Sequence, residues 1–232
     1  MRQLERRQVG STLELRASTD GGPGKVGGYA LKYRTMSQNL GGYVEEIDAG
    51  TFTKSLGDGG DVLCRYQHDS NLLLGRTSSE TLRLTDEAAG LDYEADLPDT
   101  TYARDLAELL VRKDVRHSSF AFRVMPGGDS WGFTDMGFPM RTLTEAQLVD
   151  VAPVVTPAYL DTSSGLRSLA EQRGLDLDVV AKAAAANELG DLLRAKDPIV
   201  IPLTAIPSPR DTHGAMALRR LKLELLAKRT TL

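Results

Sequence analysis

The segment Arg116 to Val124, RHSSFAFRV, constrains the fold more tightly than any other stretch. A period of two puts Ser118, Phe120, Phe122 and Val124 on one face, and His117, Ser119, Ala121 and Arg123 on the other. Two phenylalanines and a valine mark the first face as the core side. Ser118 is then turned inward, and Ser119 outward toward a surface or cleft. Upstream, Pro98-Asp99-Thr100 opens a helix whose free N–H groups Asp99 or Thr100 can cap. Behind the cap, Tyr102, Leu106, Leu109 and Leu110 form one apolar stripe, and the helix ends near Asp114. A helix feeding a strand that starts with serine is a well-supported place for a reactive group.

A half-buried strand needs partners, and short alternating segments punctuated by glycine supply them. Ser11 to Ala17 and Gly28 to Tyr33 read as a hairpin with a loose glycine-rich loop. A polar segment follows Gly41-Gly42, then a short helix over Gly50 to Leu56 and a loop over Gly57 to Asp61. Val62 to Gln67 is the next strand. If it runs on, Val62, Cys64, Tyr66 and His68 share one side and Leu63, Arg65 and Gln67 the other, so periodicity does not say which faces the core. Leu72 to Leu74 is a buried segment. Thr77 to Leu84 and Leu91 to Leu97 form a hairpin turned around Asp86 to Gly90. After a polar loop carrying Trp131, Gln147 to Val155 is an edge or terminating strand marked by Pro153 and Pro157. It places Val149, Val151 and Val155 on one face, and Leu148, Asp150 and Ala152 on the other. Asp150 therefore points away from the apolar face, as Ser119 does.

Several chemistries are poorly supported. Three histidines (His68, His117, His213) and one cysteine show no zinc-ligand spacing. Gly21 to Gly28 lacks the GKS/T and the strand-to-helix context of a phosphate loop. No G-x-S-x-G elbow is present, which argues against an α/β-hydrolase. No apolar run approaches the length of a membrane span, and MRQLERRQVG lacks the apolar core of a secretory signal. Cys64 has no partner for an internal disulfide; it reads as a structural residue in a cytoplasmic setting. With 41% hydrophobic and 26% charged residues, the composition is that of a soluble globular chain with one core.

The C-terminal part has another character. The expected organisation is a domain over residues 1–164, a helical extension over 165–197 with an interruption at Gly190, a proline-rich linker over 198–214 and a basic amphipathic helix over 215–232. From Pro198 onward six Lys/Arg stand against two Asp/Glu, a net charge of +4 in a chain whose total is −4. An oppositely charged, detachable tail and an ordinary packing helix fit this equally.

Taken together, an ordered set of motifs resembles the prohead (capsid maturation) proteases of tailed bacteriophages of the HK97 type. The set is GYA (Gly28 to Ala30), LGGYVEEIDAGTF (Leu40 to Phe52), the His68-Asp69 pair followed by Leu74-Gly75, and GLDYEADLPDT (Gly90 to Thr100). It continues with SFAF (Ser119 to Phe122) and LVDVAPVVTPAY (Leu148 to Tyr159). The resemblance covers roughly residues 10 to 165. It implies an α+β fold like the herpesvirus assembly proteases, a mostly antiparallel β-barrel surrounded by helices. It also implies a serine endopeptidase with Ser119 as nucleophile and His68 as base. The third member is Asp150, where the family more often has glutamate, or His117 by analogy with the herpesvirus enzymes; Asp150 is favoured. The implied partners are the major capsid protein with its scaffolding segment, and the chain itself through autocleavage or self-association. The implied location is the procapsid in the host cytoplasm. No cofactor, metal, membrane or specific nucleic acid is expected. The rival readings are a non-catalytic scaffold or capsid component with the same barrel, and a small-molecule hydrolase.

Overall fold

A computed structural model describes residues 3–9, 13–16, 22–155 and 163–195. The expected linker and basic tail helix lie outside these residues. The strands are β1 (Glu5–Val9), β2 (Glu14–Arg16), β3 (Lys25–Lys32), β4 (Val44–Ile47), β5 (Leu63–Arg65), β6 (Leu73–Arg76), β7 (Leu82–Glu87), β8 (Gly90–Asp96), β9 (His117–Val124), β10 (Asp129–Phe133), β11 (Pro139–Leu143) and β12 (Ala146–Val154). The helices are α1 (Thr53–Gly57), α2 (Thr101–Val111), α3 (Ser163–Arg173), α4 (Leu177–Ala185) and α5 (Leu189–Arg194).

The strands form three sheets, ordered β1-β9-β12-β5-β6, β2-β3-β8-β7 and β10-β11-β4. The α+β class and the antiparallel bias are present, with two parallel pairings, β12 with β5 and β11 with β4. The hydrogen-bond ladders do not join into one closed barrel among the described residues. The barrel expected from the resemblance is represented there by three separate ladders.

The main core fills the space between the first two sheets. Phe120 and Phe122 stack at 5.3 Å between centroids, and each meets Phe52 edge-on at 6.2 Å. Tyr93, Leu91 and Val26 from the second sheet, and Leu106 and Ala103 from α2, close this core. The α2 stripe thus packs as its spacing predicts. Its expected cap does not form: Thr100 stands at the N-cap without a side-chain bond, and the Asp99 carboxylate pairs with Arg104 at 2.6 Å instead. In a second core, Leu166, Leu169, Val180, Leu189 and Leu193 of α3–α5 pack with Leu40 and Tyr43, with Trp131 and Phe133 of β10 against them. The break between α4 and α5 falls at Ala186 to Glu188, where Asn187 is left-handed (φ 56°), and not at Gly190.

Between the first and third sheets lies a buried cluster of charges. Arg141 of β11 is fully buried; its Nε donates to Asp129 at 2.7 Å and Nη1 to Glu5 and Glu45 at 2.8 and 2.9 Å. Arg7 donates to Glu45 at 2.8 Å and to Glu5 at 2.8 Å. Ser168 and Gln172 of α3 donate to Asp129. Four strands that hydropathy does not reveal (β1, β4, β10 and β11) carry this cluster, because their inward residues are charged.

Arg141→Met removes the one cation shared by three buried carboxylates, and breaking such a cluster costs about 3–5 kcal/mol. Chemical denaturation should show a loss of that size. Arg83→Ala, which removes two half-exposed surface pairs, with Glu94 and Asp96, should lose less, about 1 kcal/mol or under.

Candidate active site

Strand β9 divides its two serines as its alternation predicts. Ser118 lies on the phenylalanine side, its Oγ 3.2 Å from the Tyr93 hydroxyl inside the core. Ser119 lies on the opposite face, which is not open to solvent: the residue is fully buried. The expected cleft is covered, partly because β1 lies along β9 with Gln8 opposite Ser119.

The next strand in the sheet, β12, pairs Ala152 with Ser119 and Asp150 with Ala121. Residues paired directly across an antiparallel ladder share a face, so Asp150 stands on the side of Ser119. An irregularity between Leu148 and Asp150 resets the alternation there. Beyond β12, β5 runs parallel and pairs Leu63 with Asp150.

His68 arrives by a route that alternation does not describe. The strand expected over Val62 to Gln67 stops at Arg65, and Tyr66–His68 forms a tight 3-10 turn. Gln67 and His68 both have φ near 58°, left-handed values that cost a non-glycine residue roughly 1–3 kcal/mol. This turn rotates His68 away from the side it would share with Cys64 and brings it to Asp150. The backbone strain is located at the imidazole that the site requires.

The three side chains then form one hydrogen-bonded line. His68 Nδ1 is 2.5 Å from Asp150 Oδ1, and His68 Nε2 is 2.7 Å from Ser119 Oγ. With Asp150 ionised, Nδ1–H donates to the carboxylate, which leaves Nε2 as the acceptor facing the serine hydroxyl. Ser119 Oγ is also 2.9 Å from the main-chain carbonyl of Arg7. The Arg65 guanidinium abuts Oδ2 of Asp150 as an ion pair without the alignment of a hydrogen bond.

Other candidates stand elsewhere. His117 is 3.3 Å from Arg116 Nε at the start of β9 and has no bond to His68. Asp69 is exposed and accepts from the main chain and side chain of Asn71, closing the turn. Cys64 is buried, and burial alone pushes its thiol far up. Sequence reasoning missed Arg65 and the approach of β1. The first sits on a strand too short to show a pattern, and the second on a segment read only as charged.

Burial, reinforced by the Arg6 and Arg65 charges nearby, pushes the His68 imidazolium down to about 4. His68 is therefore a neutral base at pH 7. Chemically, a Ser119–His68–Asp150 line of this kind can let a neutral imidazole take a hydroxyl proton while a carboxylate holds its tautomer.

The chain belongs to the caudovirus prohead serine protease family, whose sequence profile matches residues 11–174. No curated protein sequence matches it. Among solved structures it is similar to the bacteriophage T4 capsid assembly protease, at 14% identity and a TM-score of 0.46, over 66% of this chain and 97% of the other. Among the described residues no helix is long and apolar enough to cross a membrane.

An NMR titration of the histidine ring protons should find one, assigned through His68→Gln, that protonates well below the ordinary value of ~6.5. Arg65→Ala removes a nearby cation and should move that midpoint upward. In the unfolded chain His68 takes up its proton first, so its contribution to stability is present above pH ~6.5 and is lost as the pH falls toward 4. A His68 midpoint at or above 6.5 would contradict this picture.

Proposed function

We propose that the chain is a serine endopeptidase that cleaves the scaffolding segment of the major capsid protein, and itself, during procapsid maturation. Ser119 is the nucleophile, His68 the general base and acid, and Asp150 the residue that orients the imidazole. The observation that carries this reading is the unbroken line from Asp150 Oδ1 through both ring nitrogens of His68 to Ser119 Oγ, at 2.5 and 2.7 Å.

In the proposed reaction His68 Nε2 accepts the Ser119 proton as Oγ attacks the scissile carbonyl carbon. The imidazolium formed is stabilised by the Asp150 carboxylate at Nδ1 and returns its proton to the leaving amine. The acyl group remains as an ester on Ser119. Water, deprotonated by the same imidazole, then hydrolyses that ester. Arg6 and Arg65 disfavour a permanently protonated histidine, so the base is available before the attack begins.

The enzyme is proposed to act inside the procapsid, with the major capsid protein as its partner. The composition change and the proline linker suggest a removable tail after about Ser164; we place its start beyond α5 instead. A cut near Ser164 would strip Leu166, Leu169, Leu189 and Leu193 from the second core and expose Leu40 and Tyr43. The expected tail is therefore confined to residues beyond 195.

Co-expression with the major capsid protein of the same phage tests the reading. The unaltered chain should shorten the capsid protein, and Ser119→Ala should leave it intact. Asp150→Asn should slow cleavage by roughly ten-thousand-fold while circular dichroism shows a folded chain. Cleavage by both the unaltered chain and Ser119→Ala, or by neither, would favour a non-catalytic assembly component.

A further inference from the structure

The Asp150 carboxylate has a second oxygen that the Ser119–His68–Asp150 line does not use. Oδ1 takes the Nδ1 proton of His68 at 2.5 Å, while Oδ2 accepts no hydrogen bond among the described residues. Asp150 is fully buried, and a carboxylate removed from water needs a cation beside it. His68 does not supply that charge, because its imidazole is neutral at pH 7. Arg65 does. It stands two residues after Leu63, the β5 residue paired with Asp150, and its Nη2 lies against Oδ2. Only 12% of the Arg65 side chain is exposed, so the pair is shielded from water on both sides.

The other end of the same guanidinium reaches the turn that carries His68. Nη1 donates to Ser70 Oγ at 3.1 Å. That turn is closed by the Tyr66 N–H on the Leu72 carbonyl and the Asp69 N–H on the Tyr66 carbonyl, both at 3.0 Å. It holds Gln67 and His68 in left-handed backbone, which persists only where the surroundings over-determine it. Arg65 enters the turn and Ser70 lies near its exit, so one guanidinium spans it and joins it to β12. A planar fork with fixed donor directions can serve both partners, whereas an ammonium is a single point of charge.

We propose that Arg65 is a positioning residue of the site: it holds the Asp150 carboxylate charged, with Oδ1 aimed at His68 Nδ1, and through Ser70 it braces the strained turn that presents the imidazole. This rests on the protease reading given above. Arg65 acts through Asp150 and the turn, and not on the reacting atoms. The groups that bear on the imidazole are Asp150 of β12, Ser119 of β9, Arg65 of β5 and the charge of Arg6 on β1. Asp69, next in sequence, is exposed and turned to Asn71. Arg65 is the one among them that neutralises the carboxylate without putting a proton on the base.

The test follows the His68 Nδ1 proton by NMR at pH 7 in the full chain. In the unaltered protein it should give a downfield signal that exchanges slowly with water. Arg65→Met keeps the apolar stem and removes both arms; it should lose that signal while circular dichroism shows a folded chain. Arg65→Lys returns the charge without the reach to Ser70, and should recover the signal with faster exchange. Ser70→Ala is an exposed change that spares the charge. Exchange there should be about fivefold faster, the effect of losing one hydrogen bond. With purified major capsid protein as substrate, Arg65→Met should lower kcat roughly a hundredfold, the cost of a misplaced reacting group, and leave KM in place. A residue that only stabilised the fold would move neither the exchange rate nor kcat in a folded variant. Slow exchange retained in Arg65→Met would overturn the proposal, as would an unchanged kcat. If Arg65→Met does not fold, exchange in Ser70→Ala equal to that of the unaltered chain overturns it instead. Absence of the signal from the unaltered chain would overturn it too, because Asp150 would then not be held on Nδ1. A chain that shows every NMR result but cleaves no capsid protein would tell against the protease reading alone.

Discussion

Arg141 is the residue on which the arrangement of strands depends. A guanidinium with no solvent contact has to find its hydrogen bonds inside the protein, and this one finds them on three different strands: Asp129 of β10, Glu5 of β1 and Glu45 of β4. The same Asp129 accepts from Ser168 and Gln172, which ties α3 to the cluster. Buried ion pairs contribute little net stability, because removing the charges from water offsets most of their attraction. Their contribution here is to register. A slip of one residue in β1, β4 or β11 would leave a buried charge unpaired. The strand bearing Ser119 is therefore fixed on its phenylalanine side by a core that selects by shape, made of Phe52, Phe120 and Phe122, and, through Glu5 and Arg7 of the paired β1, by a cluster that selects by charge.

The candidate site uses that fixed register. Three adjacent strands of one sheet, β9, β12 and the end of β5, each bring one member, and the ladder sets their spacing along the sheet. Two local departures from regular structure finish the alignment. The irregularity before Asp150 puts the carboxylate on the serine side, and the left-handed turn at Gln67 and His68 swings the imidazole to meet it. Neither departure is favourable by itself. They are held in place because the surrounding ladders and the buried ring of His68 leave little alternative. Burial then keeps His68 neutral where an exposed histidine would begin to protonate.

Burial of Ser119 and the downward shift of His68 share a structural origin. The backbone that covers Ser119 also carries Arg6, one of the charges acting on His68, and Arg7, one of the cations in the buried cluster. Events on the two faces of β9 are thereby connected through β1, a strand only five residues long.

Much of the site was readable from the sequence because alternation is a backbone property. HSSFAFRV can present Ser119 opposite its phenylalanines in only one way; Asp150 does oppose Val151 as expected, but Leu148, expected on the side of Asp150, lies opposite Phe122 because the strand is irregular between them. The α2 stripe and the β7–β8 hairpin followed from the same periodicities, and the motif order pointed to the family. What periodicity could not supply was anything set by a break in it or by a charge turned inward. His68 reaches Asp150 only through a turn with two positive φ values. Strands β1, β4, β10 and β11 were hidden because Glu5, Glu45, Asp129 and Arg141 read as solvent-facing residues until each is seen to neutralise another. The expected surface position of Ser119 failed for a related reason: a strand's own sequence specifies which face a side chain takes, whereas the chain packed beside it determines whether that face meets water.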